Sequence, residues 1–116
     1  MYSFAEKEVS LDKHTREVLL KCHKELCNRY NATIVLYGSQ ARGDASAESD
    51  IDVLILLNEE FTFEKKRVIH DLLYEITLAE DVVISVMIKS TDMWNLPISQ
   101  ATGLYQVIQK EGIRVA

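Results

Sequence analysis

The chain has 116 residues, of which 47% are hydrophobic and 27% charged, a composition typical of one soluble globular domain over residues 1–116. This composition excludes a disordered chain, a collagen-like repeat and a disulfide-stapled scaffold. Thirteen basic residues against eighteen acidic ones give a formal charge of −5. Because nucleic-acid binding depends on neutralising phosphates, free DNA or RNA is disfavoured as a partner, whereas a nucleotide carried with a metal ion is compatible with this charge.

No targeting signal is evident in the sequence. The region after Met1 mixes charged and single apolar residues, and no stretch approaches the ~20 apolar residues that cross a membrane. We therefore expect a cytoplasmic protein with no membrane partner. A reducing compartment would keep Cys22 and Cys27 as thiols.

The hydrophobic pattern predicts alternating helices and strands. Apolar residues recur every three or four positions in the helical segments, whereas the strands are short β-branched and aromatic runs. In chain order we predict a helix over Leu11–Arg29, a strand over Thr33–Tyr37, a turn-rich segment over Ser39–Ser49, a strand over Ile51–Leu57, a helix over Phe61–Ala79, a strand over Val82–Ile88, a helical turn over Thr91–Trp94 and a helix over Ser99–Lys110. This order predicts an α/β domain in which a small mixed sheet is backed by helices.

Two aspartates stand at the start of the second predicted strand. Asp50 and Asp52 are two residues apart, so both carboxylates project from the same face of the sheet. Aspartate is depleted in strands, and a carboxylate among buried residues needs a cation or hydrogen-bond donors. Oxygen ligands of this type suit Mg²⁺ or Mn²⁺, so the pair predicts a divalent metal site.

The turn after the first predicted strand offers groups that bind phosphate. Gly38 lets a phosphate approach the backbone closely, and Ser39 adds a hydroxyl donor. Arg42 has the chemistry to pair with a phosphate oxygen or with a carboxylate. Ten residues separate Ser39 from Asp50. Together these features predict a triphosphate site beside a carboxylate metal site.

This segment resembles the signature of the DNA polymerase β-like nucleotidyltransferase superfamily, in its minimal nucleotidyltransferase (MNT) branch. The residues that match are Gly38-Ser39, Ala41-Arg42-Gly43 and Ser49-Asp50-Ile51-Asp52, with a looser match in the ending over residues 108–113. The resemblance implies the palm-like nucleotidyltransferase fold. It also implies transfer of a nucleoside monophosphate, with AMP from ATP as the first expectation and another nucleoside triphosphate as the alternative, to a hydroxyl acceptor.

The resemblance also implies roles for individual residues. Asp50 and Asp52 would hold Mg²⁺ or Mn²⁺, Gly38 and Ser39 would hold the β- and γ-phosphates, and Arg42 would assist them. Minimal members often work beside a helical HEPN-type protein in toxin–antitoxin pairs, so such a partner is expected. The acceptor, the preferred base and the choice between homo- and hetero-oligomer stay open.

One position departs from the family pattern. Members commonly carry a third carboxylate in the next core strand, and this position falls on Val83. Asp81 lies two residues earlier, on the same face of the predicted strand at about 6.6 Å, and is therefore a candidate catalytic residue. The alternative is that Asp81 only begins the strand. Two hypotheses follow: an active transferase, or a weakly active or inactive module that binds a helical partner.

Overall fold

The computed structural model describes residues 1–44 and 49–116. Residues 45–48, part of the predicted turn-rich segment, lie outside the described residues. The helices in the described ranges are α1 Phe4–Lys7, α2 Lys13–Cys27, α3 Ser39–Arg42, α4 Phe63–Glu80, α5 Thr91–Trp94, α6 Pro97–Gln100 and α7 Gly103–Glu111, with a 3₁₀ turn at Glu8–Ser10. The strands are β1 Tyr2–Ser3, β2 Ala32–Tyr37, β3 Ile51–Leu57, β4 Ile84–Ser90 and β5 Ile113–Arg114. In this part of the chain, each helix is too short or too polar to span a lipid bilayer.

The strands form one mixed sheet in the order β1-β5-β2-β3-β4. Strand β3 runs antiparallel to β2 and parallel to β4. The short strand β5 lies antiparallel to β2 on its other side, and β1 pairs in parallel with β5. The mixed α/β sheet predicted from the sequence is thereby confirmed, and β4 forms one edge of it.

The two faces of the sheet are covered unequally. Helices α2 and α4 bury the larger core against one face, which includes Ile34, Val53 and Ile55. The opposite face carries a smaller cluster made of Val35, Leu54, Leu56, Trp94 and Ile108. Alternation along β3 puts Asp52 on the same face as Leu54. The predicted metal ligand therefore lies on the face that is less covered by helices.

The structure corrects the predicted start of the third long strand. Helix α4 runs to Glu80, and Asp81 ends it in a left-handed conformation (φ 53°, ψ 50°) with its N–H donating to the carbonyl of Thr77. The chain then turns and β4 begins at Ile84, two residues later than predicted. The predicted helix over Ser99–Lys110 is likewise divided, because the side chain of Thr102 caps a new helix, α7, by accepting from the N–H of Tyr105.

Candidate functional site

Asp52 lies in a row of residues that crosses three strands. Strand register pairs it with Tyr37 of β2 on one side and with Ser85 of β4 on the other. Ile51 pairs with Ile84, so Asp50 stands opposite Val83 at the end of the sheet. Side chains of paired residues project from the same face. Tyr37, Asp52 and Ser85 therefore share one face, and Asp50, which directly precedes β3, is near enough for its charge to act on Asp52. That both carboxylates project from this face stays a prediction.

Gly38 packs directly against the carboxylate of Asp52. Its backbone has φ 77° and ψ −157°, a region that glycine alone adopts readily. A Cβ built on Gly38 would lie 2.4 Å from Oδ2 of Asp52, far inside van der Waals contact. Glycine is therefore required here both by backbone conformation and by space. Ser39 follows as the first residue of α3 and is half-buried.

Arg42, at the end of α3, bridges two acidic residues. Its Nε donates to Oδ2 of Asp44 at 3.3 Å, and its Nη1 donates to Oε1 of Glu111 at 3.1 Å. Glu111 is the last residue of α7, so this ion pair links the turn after β2 to the C-terminal helix. Sequence reasoning identified Arg42 but missed both partners. The signal for Glu111 was its place in the loosely matching ending, next to Gly112.

Gly112 fixes the end of α7 against the sheet. A Cβ at Gly112 would lie 2.5 Å from the carbonyl oxygen of Ile108 and 2.9 Å from Cγ1 of Val35. This close approach holds the preceding residue, Glu111, within reach of Arg42.

Burial, and then negative charge, shifts the pKa values of the ionisable groups in this row. Desolvation raises the pKa of the Asp52 carboxyl, the charge of Asp50 raises it further, and Arg42 offsets part of this effect. Desolvation and the neighbouring charge of Asp52 also raise the pKa of the Tyr37 hydroxyl. A nearby cation would stabilise the ionised form of such a group.

The donor set fits Mg²⁺ or Mn²⁺. Both residues supply carboxylate oxygens, which these hard cations prefer, and their mutual repulsion is relieved by a double positive charge between them. Outside residues 45–48, no group of three or more His, Cys, Asp or Glu side chains is placed to hold a metal ion. The described residues therefore supply two carboxylates to this candidate site.

Asp81 does not occupy the position expected for it. The inference that it shares a strand face with Val83 is wrong, because Asp81 is the left-handed cap of α4 and precedes β4 by three residues. Its side chain is exposed, and Val83 is exposed by 59%. A catalytic role for Asp81 stays a prediction.

Comparison with known proteins finds similarity in sequence and in fold. The model of the family described as "Nucleotidyltransferase domain" matches residues 19–114. Two proteins of Methanocaldococcus jannaschii that carry the name "Putative protein adenylyltransferase", MJ0141 and MJ0604, are similar to this chain. MJ0141 is 44% identical over 55 residues, which are 47% of this chain and 56% of that protein. MJ0604 is 38% identical over 66 residues, which are 57% of this chain and 61% of that protein.

The matched segments thus span between half and two thirds of each relative. A solved structure described as "Crystal structure of the toxin-antitoxin with AMP-PNP" superposes with a TM-score of 0.56. The superposition covers 87% of this chain and 72% of that one at 20% identity, so it supports the fold. Since the family model extends over most of the sheet and includes Gly38, Asp50 and Asp52, the chain belongs to the nucleotidyltransferase domain family.

Proposed function

We propose that this protein is a Mg²⁺-dependent nucleotidyltransferase that moves AMP from ATP to a hydroxyl group of a protein. The observation that carries the proposal is the contact between Gly38 and Asp52, which couples a turn suited to phosphate with a carboxylate suited to metal. The two curated relatives support the choice of AMP and of a protein acceptor, because both are named for protein adenylylation.

Asp50 and Asp52 are the residues that would hold the divalent cation. The bound cation supplies charge neutralisation at the triphosphate. Gly38 lets the phosphates approach the backbone, Ser39 offers its hydroxyl, and Arg42 adds the positive charge of its guanidinium. These roles require the five residues to act on one face of the sheet. Strand β3 and the turn between β2 and α3 lie next to each other, which supports this requirement.

The proposed transfer is an in-line displacement. The acceptor hydroxyl oxygen forms a bond to the α-phosphorus, and the bond from that phosphorus to the oxygen bridging to the β-phosphate breaks. Pyrophosphate leaves with the bonding electron pair, and the hydroxyl proton passes to water. Strand β4 contains no acidic residue, so this chain has no β4 carboxylate to accept that proton.

A helical HEPN-type protein is our proposed partner and acceptor. The structural neighbour is described as a toxin–antitoxin, and proteins of that kind act in pairs by definition. The proposed substrate, ATP, is abundant in the cytoplasm, and we propose that location for the reaction.

A second candidate is a binding module with little or no turnover. The observation that favours it is Val83, an apolar residue opposite Asp50 where a further carboxylate would complete the site. Under this hypothesis the chain neutralises its partner by contact, and Asp50 and Asp52 are dispensable for that effect.

Calorimetric titration tests the nucleotide site first. We would titrate the protein with ATP, GTP, CTP and UTP, with Mg²⁺ and with EDTA, and compare it with the double variant Asp50→Asn, Asp52→Asn. The matched control is Asp71→Asn, Glu75→Gln, which removes two negative charges from exposed positions of α4 on the other side of the sheet. We expect Mg²⁺-dependent binding that the site variant loses and the control keeps.

Label transfer then separates the two candidates. Incubation with a purified helical partner should move radioactivity from [α-³²P]ATP to protein, while [γ-³²P]ATP should label nothing. An absence of α-label together with wild-type partner binding by the Asp50→Asn, Asp52→Asn variant would favour the binding module. Nucleotide binding that does not depend on Mg²⁺ or on the two aspartates would contradict the proposed site.

A further inference from the structure

β4 places one hydroxyl in the row that contains Asp52. Ser85 pairs with Asp52 across the parallel β3–β4 ladder, and neighbouring strands lie about 4.8 Å apart. A cation held between Asp50 and Asp52 is level with residues 83–85 of the neighbouring strand. Of these, Ser85 is the residue whose side chain carries oxygen and faces the same side as Asp52.

Ser85 is also unusual for its place in the strand. Ile84, Val86 and Ile88 turn toward the larger core, and the rest of the strand is typical of β-structure. Serine has a weaker strand preference than the β-branched residues around it. Ser85 is exposed on the edge strand β4, opposite Asp52. It therefore places a small polar side chain beside the residue that carries this carboxylate.

A neutral oxygen at this position is compatible with the charge of the site. Asp50 and Asp52 together carry two negative charges, which one divalent cation neutralises. A serine hydroxyl adds an oxygen without adding charge.

We infer that Oγ of Ser85 is a third protein oxygen at the divalent-cation site formed by Asp50 and Asp52. This inference rests on the proposed function, because it requires that the two aspartates bind the cation. It assigns to β4 a neutral hydroxyl in place of an acid, and it leaves Asp81 outside the site.

The test measures Mn²⁺ binding to the whole chain by electron paramagnetic resonance of the free ion, without nucleotide or turnover. Ser85→Ala removes the hydroxyl, whereas Ser85→Thr keeps it on a residue that suits a strand. Ser85→Asp adds a carboxylate. Its matched control is Lys89→Gln, which changes the formal charge by the same −1 on the same face of β4, four residues away.

We expect Ser85→Ala to weaken Mn²⁺ binding about tenfold and Ser85→Asp to strengthen it about tenfold. Ser85→Thr, Lys89→Gln and Asp81→Asn should stay within about twofold of the wild type. Thermal melting of each variant confirms that it is folded, and Ser85→Thr keeps the test valid if Ser85→Ala is unstable.

Several results would overturn the inference. Equal Mn²⁺ affinity in Ser85→Ala and Ser85→Thr would show that the hydroxyl does not bind the cation. An equal gain in affinity in Lys89→Gln and Ser85→Asp would show that the gain comes from long-range charge and not from a new ligand. Weaker binding in Asp81→Asn would assign the third oxygen to that residue. In each of these cases Asp50→Asn, Asp52→Asn still abolishes binding. If that double variant binds Mn²⁺ like the wild type, the proposed function fails as well.

Discussion

Oδ2 of Asp52 lies so close to Gly38 that a Cβ on that glycine would approach it to 2.4 Å. The carboxylate and the turn after β2 are consequently in close contact. Asp52 lies in β3 and Gly38 directly follows β2, so the ladder between these two strands sets the distance between the proposed metal ligand and the proposed phosphate-binding turn.

Gly38→Ala should therefore damage both stability and the site. The backbone conformation alone costs about 1–3 kcal/mol for a residue with a side chain, and the added methyl group must displace the Asp52 carboxylate. We expect a lower free energy of unfolding in urea and a loss of Mg²⁺-dependent ATP binding by calorimetry.

Gly43→Ala is the matched control for this prediction. Gly43 also has a positive φ of 81°, but no atom lies within 4 Å of a Cβ built there. It should cost about 1–2 kcal/mol of stability and leave ATP binding intact. An equal loss of ATP binding in both variants would show that backbone strain, and not the contact with Asp52, is responsible.

Much of this relationship could be predicted from the sequence because its parts are local. The two-residue repeat of a strand places Asp52 on one face of β3, and β3 has the predicted bounds because polar residues flank an apolar run. Gly38 was recognisable as a turn residue directly after a strand. What the sequence did not indicate is that its missing side chain makes room for Asp52.

The remaining features depend on contacts between distant segments. Arg42 and Glu111 are 69 residues apart, and no local pattern connects them. The start of β4 was misplaced because Val82 and Val83 have strand-like side chains but form the connection after the left-handed cap at Asp81. Strand register, which pairs Ser85 with Asp52, is likewise set by packing and not by neighbouring residues.

Glu111→Gln should strengthen triphosphate binding. The carboxylate of Glu111 neutralises part of the Arg42 guanidinium charge at 3.1 Å, whereas a glutamine oxygen would still accept the same hydrogen bond without the charge. We expect the dissociation constant of AMP-PNP with Mg²⁺ to fall about two- to fivefold, in line with an ion pair at the surface.

Asp44→Asn provides the comparison for Glu111→Gln. Asp44 also pairs with Arg42, but its side chain is 62% exposed against 21% for Glu111. Because solvent screens the more exposed charge, the gain should be smaller in Asp44→Asn. Weaker AMP-PNP binding in Glu111→Gln would instead mean that the charge of Glu111 is needed to hold Arg42 in position.

Trp94→Ala should destabilise the smaller apolar cluster, which packs on the same face of the sheet as Asp52. Trp94 is 3% exposed and stacks at a 43° tilt on Tyr105, with 5.0 Å between ring centroids, in the cluster that contains Leu54. Loss of the ring should lower the free energy of unfolding by about 3–5 kcal/mol. Circular dichroism in urea is the suitable measurement, since Trp94 is the single tryptophan and the variant has no indole fluorescence.

Met93→Ala controls for the change of an apolar residue in the same helix. Met93 is 63% exposed, so its truncation should change stability by less than about 0.5 kcal/mol. Similar losses in Met93→Ala and Trp94→Ala would indicate that α5 as a whole, and not the buried ring, stabilises this face.

The Glu59 carboxylate gives the fold a measurable dependence on pH. Its Oε2 accepts from Nζ of Lys65 at 2.9 Å, and its Oε1 accepts from the N–H of Asn31 at 2.6 Å. The hydrogen bond from Lys65, followed by that from Asn31, lowers the pKa of Glu59 below its ordinary value of 4.5. The unfolded chain therefore binds more protons than the folded chain does near that pH, so this contribution to stability increases as pH rises.

Glu59→Gln should consequently melt at a lower temperature than the wild type at pH 7. The stabilisation by Glu59 is complete above its ordinary pKa and is lost as pH falls through the lower pKa of the folded state, so the two melting curves should converge in acid. Glu60→Gln is the control, because Lys65 contacts the backbone carbonyl of Glu60 and that contact survives the substitution. Thermal melting of the three proteins from pH 7 to acid measures the difference. A gap between Glu59→Gln and the wild type that stays constant with pH would attribute the effect to lost packing and not to the ionised carboxylate.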